Sequence, residues 1–154
     1  MAFEIERKFL VNHDLWDSSV AKESYHIIQG YIQKDKDKTI RIRIRDEEAF
    51  LTIKSKSEGI KRFEFEYQIP ISDAKLMLSK FTKKFIEKTR FIVEFGGKIW
   101  EVDEFEGNNK GLLLAEIELE AEDEPFEKPE WVAEEVSLDM RYHNSNLIDF
   151  PMNS

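Results

Sequence analysis

"TIRIRIR", Thr39–Arg45, places an arginine at every second position (Arg41, Arg43, Arg45) against Ile40, Ile42 and Ile44. Side chains on a strand alternate between two faces, so this segment has one wholly basic face and one wholly aliphatic face. A helix would mix the two sets around its circumference. The stretch reads as a strand, and its basic face is unlike an ordinary solvated surface, where charges of both signs are interspersed.

The same reading extends along the chain. "EIERK" carries Glu4, Glu6 and Lys8 on one parity, "FLTIKSK" Lys54 and Lys56, and "KRFEFEYQI" Arg62, Glu64 and Glu66. "IEKTRFI" carries Lys88 and Arg90, "IWEVDEF" Glu101 and Asp103, and "LLLAEIELE" Glu116, Glu118 and Glu120. The opposite parity is apolar, with Phe3, Ile5, Phe9, Phe63, Phe65, Phe91 and Trp100 prominent.

Period-2 alternation predicts strands over Phe3–Val11, Ile27–Gln33, Thr39–Asp46, Glu48–Lys56, Lys61–Ile69, Glu87–Phe95, Lys98–Phe105 and Leu112–Glu120. The intervening "DEE", "SEG", "GG" and "EGNNKG" supply hairpin turn residues, and short connections favour antiparallel pairing. One helix is expected over "ISDAKLMLSKFTK", capped by Ser72 or Asp73, with Ala74, Met77, Leu78 and Phe81 as its core stripe. "HDLWDSSVAKE" reads as a short helix or turn, and "PEWVAEEVS" as another short helix after Pro129. The fold class is mainly antiparallel β (α+β): an eight-stranded closed barrel or strongly curved sheet with a few flanking helices.

At 154 residues the chain is expected to form one domain over 1–154, with a net charge of −9 and charged residues making up 36%. That balance argues against nucleic acid and anionic membranes as partners, but it leaves room for a small basic site inside an acidic exterior. The absence of cysteine excludes disulfides, thiolate metal sites and Cys nucleophiles. No apolar run approaches the ~20 residues of a membrane span, and "MAFEIERKFL" does not resemble a signal peptide, so a cytoplasmic location is expected. His13, His26 and His143 share no metal-ligand spacing, and no GxxxxGK[ST] loop is present.

Two arrangements satisfy the alternation. Either the charges point outward over an apolar interior, or they line the inside of a barrel whose apolar faces lie under helices or a second subunit in a homodimer. The sign pattern bears on the second. Like charges side by side are unfavourable unless a group of opposite charge lies between them. A polyanion answers the basic stripes and a divalent cation the acidic ones.

The ordered set of segments resembles the triphosphate tunnel metalloenzyme, or CYTH, superfamily. Its N-terminal E-x-E-x-K stands here at Glu4–Lys8. It is followed in family order by "QGYI" at 29–32, "RIRIR" at 41–45, "LTIKS" at 51–55, "RFEFEYQI" at 62–69 and "EKTR" at 87–90. "WEVDEFEG" at 100–107, "LAEIELE" at 114–120 and "EVSLDMRYHNSNL" at 135–147 complete it. The likeness is greatest to short bacterial inorganic triphosphatases. It implies a charged tunnel within the barrel, Mg²⁺ or Mn²⁺, and hydrolysis of tripolyphosphate to pyrophosphate and phosphate. Class IV adenylate cyclases and thiamine or nucleoside triphosphatases share the fold, but the short loops offer no obvious segment for recognising a base.

Through that resemblance each residue type takes a role suited to its chemistry. Hard divalent cations take carboxylate oxygens. Glu4, Glu6, Glu116 and Glu118 are therefore the expected metal ligands, with Glu64, Glu66 and Asp103 available for a second metal or its waters. Guanidinium and ammonium groups suit phosphate, which assigns Lys8, Arg41, Arg43, Lys54, Lys88 and Arg90 to the triphosphate. Arg45, Lys56 and Arg62 are expected as rim charges. Lys54 and Tyr31 are the expected pair for positioning the attacking water, and "RYHNSNL" is expected to close the fold.

Overall fold

A computed structural model describes residues 2–152. Nine strands, β1 Phe3–Val11, β2 Glu23–Lys34, β3 Lys38–Arg45, β4 Glu48–Ser55, β5 Lys61–Ile69, β6 Ile86–Phe95, β7 Lys98–Phe105, β8 Leu113–Glu118 and β9 Val132–Glu135, all pair antiparallel. The order β5-β4-β3-β2-β6-β7-β8-β1 closes on itself because the first half of β1 also pairs with β5 (Phe3↔Phe63, Glu4↔Arg62, Ile5↔Lys61). The result is a closed eight-stranded barrel, with β9 added outside it on β1 (Phe9↔Glu135, Val11↔Val132). Among the described residues no helix is long and apolar enough to cross a membrane.

Register places the charged parity inside. The apolar parity points outward and is covered from two directions. Phe9, Val93, Trp100, Val102, Ala115 and Ile117 pack beneath Trp16, Phe126 and Trp131, which come from the segments after β1 and before β9. Helix α1, Ile71–Phe81, lays Ala74 and Leu78 over Ile42 and Ala49. It approaches β2 so closely that a Cβ on Gly30 would lie 3.0 Å from Leu78 Cδ2 and Thr82 Oγ1. The outward aromatics of β5, Phe63, Phe65 and Tyr67, remain half-exposed. A third apolar cluster lies inside the barrel. Ile86, Phe105 and Leu114 meet Tyr142, Leu147 and Ile148 of the C-terminal segment and fill one end of the tunnel.

Turn chemistry accounts for the two-residue hairpin between β6 and β7. Gly96 and Gly97, between β6 and β7, both have positive φ (59° and 76°), as a two-residue hairpin turn matched to strand twist requires.

Three expectations are corrected. Helix α1 begins at Ile71 with Pro70 as its N-cap and no side-chain cap, so neither Ser72 nor Asp73 plays that part. Pro70 cannot extend the β5 ladder, and the helix starts at once from the strand end. Phe81, assigned to the helix core, is 62% exposed at the last turn. The segment after Pro129 forms strand β9 rather than a helix: Trp131 is anchored in the outer core, and Val132 meets the hydrogen-bonding edge of β1 at Val11. The stretch around Ser18–Val20 is a single 3₁₀ turn, capped by Asp17, whose Oδ1 accepts the Ser19 N–H at 2.9 Å.

Candidate active site

The inner wall encloses a cavity of about 210 Å³. Glu4, Glu6, Glu64, Glu66, Glu116 and Glu118 line it together with Lys8, Tyr31, Arg41, Arg43, Lys54 and Arg90. These residues come from both ends of the chain because barrel closure brings β1 between β5 and β8.

The acidic side is crowded. Glu6 stands opposite Glu118 in the β1–β8 register, and Glu116 is opposite Glu101 between β8 and β7. Desolvation, with Glu116 and Glu4 close by, pushes the Glu6 carboxyl well above its usual range. Glu118 is also raised, by burial and then by Glu4 and Glu101. Burial and Glu4 push Glu64 up to about 7. Glu4 and Glu116 behave oppositely. Burial would raise both, but Lys54 and Arg62 hold Glu4, and Lys8, Arg90 and Lys88 hold Glu116, well below the carboxylate range. A set of carboxylate oxygens that repel one another in a desolvated wall fits a hard divalent cation, which takes oxygen ligands and removes the repulsion.

The basic side is mostly paired. Lys54 Nζ reaches both Glu4 oxygens at 3.1 Å and Glu64 at 3.4 Å. Arg41 donates to Thr52 Oγ1 at 3.1 Å and meets Glu66 at 3.5 Å. Lys8 donates to the Tyr142 carbonyl at 3.0 Å and lies 3.4 Å from Glu116. Arg90 makes a two-pronged pair with Asp103 at 2.8 and 2.9 Å and a third contact with Glu101 at 3.3 Å. Arg43 differs. Its Nε donates to the Gln29 carbonyl oxygen at 2.8 Å, and among the described residues it forms no ion pair. Desolvation, Arg41 and Arg90 lower it to about 9, so it stays protonated at neutral pH.

Two expected ligands lie elsewhere. Lys88 and Asp103 have the right parity but do not line the cavity. Lys88 is 0% exposed, at 2.7 Å from Asp103 and 2.9 Å from Asn144 Oδ1, with its ammonium against the Phe105 ring of the inner apolar cluster. Desolvation lowers it to about 7. Both Asp103 oxygens are taken by Arg90 and Lys88, which overcome the effect of burial and hold it at about 2. Asp103 therefore orients Arg90, and both of its oxygens are engaged by Arg90 and Lys88. Its expected role as a metal ligand, and that of Lys88 on the substrate, do not fit this placement. Of the three expected rim charges, Lys56 is exposed, whereas Arg45 and Arg62 line the cavity, Arg62 at 3.1 Å from Glu4.

Residues to which the sequence reading gave no role in the site complete the wall: Thr39, Glu101, Ser137, His143, Asn144 and Ser145. The last three lie at the start of α2, Asn144–Leu147, in the segment that fills the barrel end. The signal was a polar triplet between Tyr142 and Leu147, which is uninformative without the barrel around it. Burial and then Lys8 push the His143 imidazole down to about 4, so it faces the cavity neutral.

Comparison with known proteins is consistent along the whole chain. A CYTH domain matches residues 2–148. An inorganic triphosphatase of Acetivibrio thermocellus is 47% identical over 152 residues, covering 98% of this chain and 96% of the relative. An inorganic triphosphatase of Nitrosomonas europaea is 34% identical over 151 residues, covering 94% and 95%. The solved structure of the inorganic triphosphatase NE1496 superposes with a TM-score of 0.67 at 33% identity, over 96% of this chain and 95% of that one. A charged barrel interior and a match that begins at the first described residue and runs to the end of α2 place this chain in the CYTH domain family.

Proposed function

We propose that this protein is a single-domain inorganic triphosphatase that hydrolyses tripolyphosphate to pyrophosphate and phosphate with Mg²⁺ or Mn²⁺. The observation that carries the reading is Arg43, a protonated guanidinium that among the described residues forms no ion pair, lining the same cavity as Glu6 and Glu118, register-paired carboxylates whose pKa values are both raised. A polyanion would answer the guanidinium, and a divalent metal carried with it would answer the crowded carboxylates. Among the described residues Tyr31 and the His143 imidazole are the only rings lining the cavity, and the remaining wall is polar or charged. That suits a bare phosphate chain better than a nucleoside or thiamine.

In this reading Glu4, Glu6, Glu116 and Glu118 hold the cation, with Glu64 beside them. A divalent metal held there would neutralise charge on the phosphates and would make the attacking water more acidic. Arg41, Arg43 and Arg90 present guanidinium donors to the phosphate chain, and Lys8 adds a point charge. Lys54, held between Glu4 and Glu64, and Tyr31 position the attacking water. The Tyr31 hydroxyl accepts from Gln29 Nε2 at 3.3 Å, which leaves its own proton free for a substrate or water oxygen. Water adds to the terminal phosphorus and releases a proton to solvent, the bridging P–O bond breaks, and pyrophosphate leaves with the negative charge that the arginines stabilise. Phosphate release from tripolyphosphate, ATP and thiamine triphosphate, each with Mg²⁺ and Mn²⁺, tests the reading. Faster turnover of either organic triphosphate would overturn it.

A further inference from the structure

Gln29 enters the scheme above only as a donor to Tyr31, yet it is 0% exposed and also bonds Arg43. A buried amide needs partners of opposite kinds at its two ends. Its Oε1 accepts from Arg43 Nε at 2.8 Å, and its Nε2 donates to the Tyr31 hydroxyl at 3.3 Å and to Asn144 Oδ1 at 3.5 Å. Asn144 Oδ1 also accepts from Lys88 Nζ at 2.9 Å, which fixes the orientation of the Asn144 amide. Reversing the Gln29 amide would set its NH₂ against the Arg43 N–H, donor against donor, so only one orientation is satisfied.

We infer that Gln29 is a positioning residue that holds Arg43 by its Nε without neutralising it, leaving both terminal nitrogens of the guanidinium for a phosphate. The inference rests on the triphosphatase reading for its substrate. The chemistry requires an amide in particular. Gln29 and Arg43 are direct register partners on β2 and β3, so a carboxylate here would form an ion pair with Arg43 and compete with the incoming anion. An apolar residue would leave the Arg43 Nε and the Asn144 carbonyl oxygen one partner short. The amide also links the cavity wall to the segment that closes the barrel, since Asn144 opens α2.

Q29E and Q29M separate this role from simple packing. Q29E restores an acceptor for Arg43 and should melt at or above Q29M. Q29M, which orphans buried polar groups, should melt below wild type. Affinity for a nonhydrolysable imido analogue of tripolyphosphate, measured by calorimetry with Mg²⁺, should be highest in wild type and, between the two variants, should run in the opposite order to the melts. Q29E should bind weakest, with a loss of about 10–100-fold and a matching rise in KM, from the loss of one charge-assisted contact. Wild-type affinity and KM in Q29E would overturn the inference, as would affinities that simply follow the melts. If Q29E does not fold, Q29M decides: unchanged affinity below its melting range overturns the role. A wild-type protein that binds the analogue but releases no phosphate from tripolyphosphate would remove the triphosphatase reading, and the affinity order would still judge Gln29.

Discussion

Glu6 on β1 and Glu118 on β8 are register partners on the inner wall, two carboxylates side by side across one strand boundary. Both have raised pKa values, Glu6 by desolvation and by Glu116 and Glu4, and Glu118 by burial and by Glu4 and Glu101. The crowding of Glu6 by Glu116 and Glu4, and of Glu118 by Glu4 and Glu101, is repulsion that a bound cation would relieve. Mg²⁺ or Mn²⁺ at 100 times its Kd should stabilise the wild type by about 2.7 kcal/mol, or roughly 5–10 °C in melting temperature. Glu6→Gln should lose metal-supported turnover and most of this shift, yet melt higher than wild type in chelator. Scanning calorimetry of both proteins with and without EDTA checks it, and equal melts in chelator would refute the repulsion.

Arg43 makes the opposite test. Arg43→Ala removes a donor to substrate and no ion pair, so kcat/KM on tripolyphosphate should fall by about 10²–10³. The melt should stay level or rise, because a desolvated cation near Arg41 and Arg90 is lost. Arg43→Lys should recover little, since it keeps the charge and loses the planar fork. Steady-state kinetics beside a thermal melt decide it, and a silent Arg43→Ala would remove Arg43 from the substrate site.

Asp103 should behave as scaffold. Asp103→Asn leaves Arg90 and Lys88 without their shared counter-charge, a loss of about 3–5 kcal/mol for a broken buried pair. The melt should drop by roughly 10 °C. Divalent-cation affinity, measured by calorimetry below that melt, should be near wild type. A large loss of metal affinity would make Asp103 a ligand after all.

His143 gives a pH signature. Its folded-state pKa of about 4 lies below the ~6.5 of a free histidine, so the unfolded chain takes up the proton first as pH falls. The stability that its neutral form contributes is complete above about pH 6.5 and is lost as pH falls towards 4. Wild type should therefore lose more melting temperature than His143→Gln between pH 7 and pH 4.5. Parallel curves would mean that the imidazole titrates normally.

The barrel was legible because parity is a local property. Arg41 and Arg43 alternate with Ile40 and Ile42 whatever the distant strands do, and eight such segments with short turns leave few ways to close. Depth along the barrel axis is not local. Lys88 and Asp103 share the parity of Arg90 and Glu101, but register sets Lys88 opposite Phe105, against the apolar cluster, while Glu101 and Arg90 reach the cavity. No spacing in "EKTR" or "WEVDEF" encodes that difference. Strand β9 was missed for a related reason: Val132–Glu135 is too short for periodicity to declare itself and exists because β1 offers it an edge. His143, Asn144 and Ser145 gain meaning only from the wall they complete.

Apart from the cluster that fills one end, the apolar packing lies outside the barrel wall, under Trp16, Trp131 and α1, while the chemistry lines the inside. Each strand thus divides its labour by parity, and a change of inner residue leaves the packed volume of the outer clusters untouched. Most enzymes build a pocket from groups wedged among core side chains, so altering the reaction disturbs the packing. Here the two are uncoupled across the thickness of one sheet. Such a scaffold is free to exchange its inward charges one at a time, and to drift from one phosphate chemistry to another, while the coat that keeps it folded stays the same.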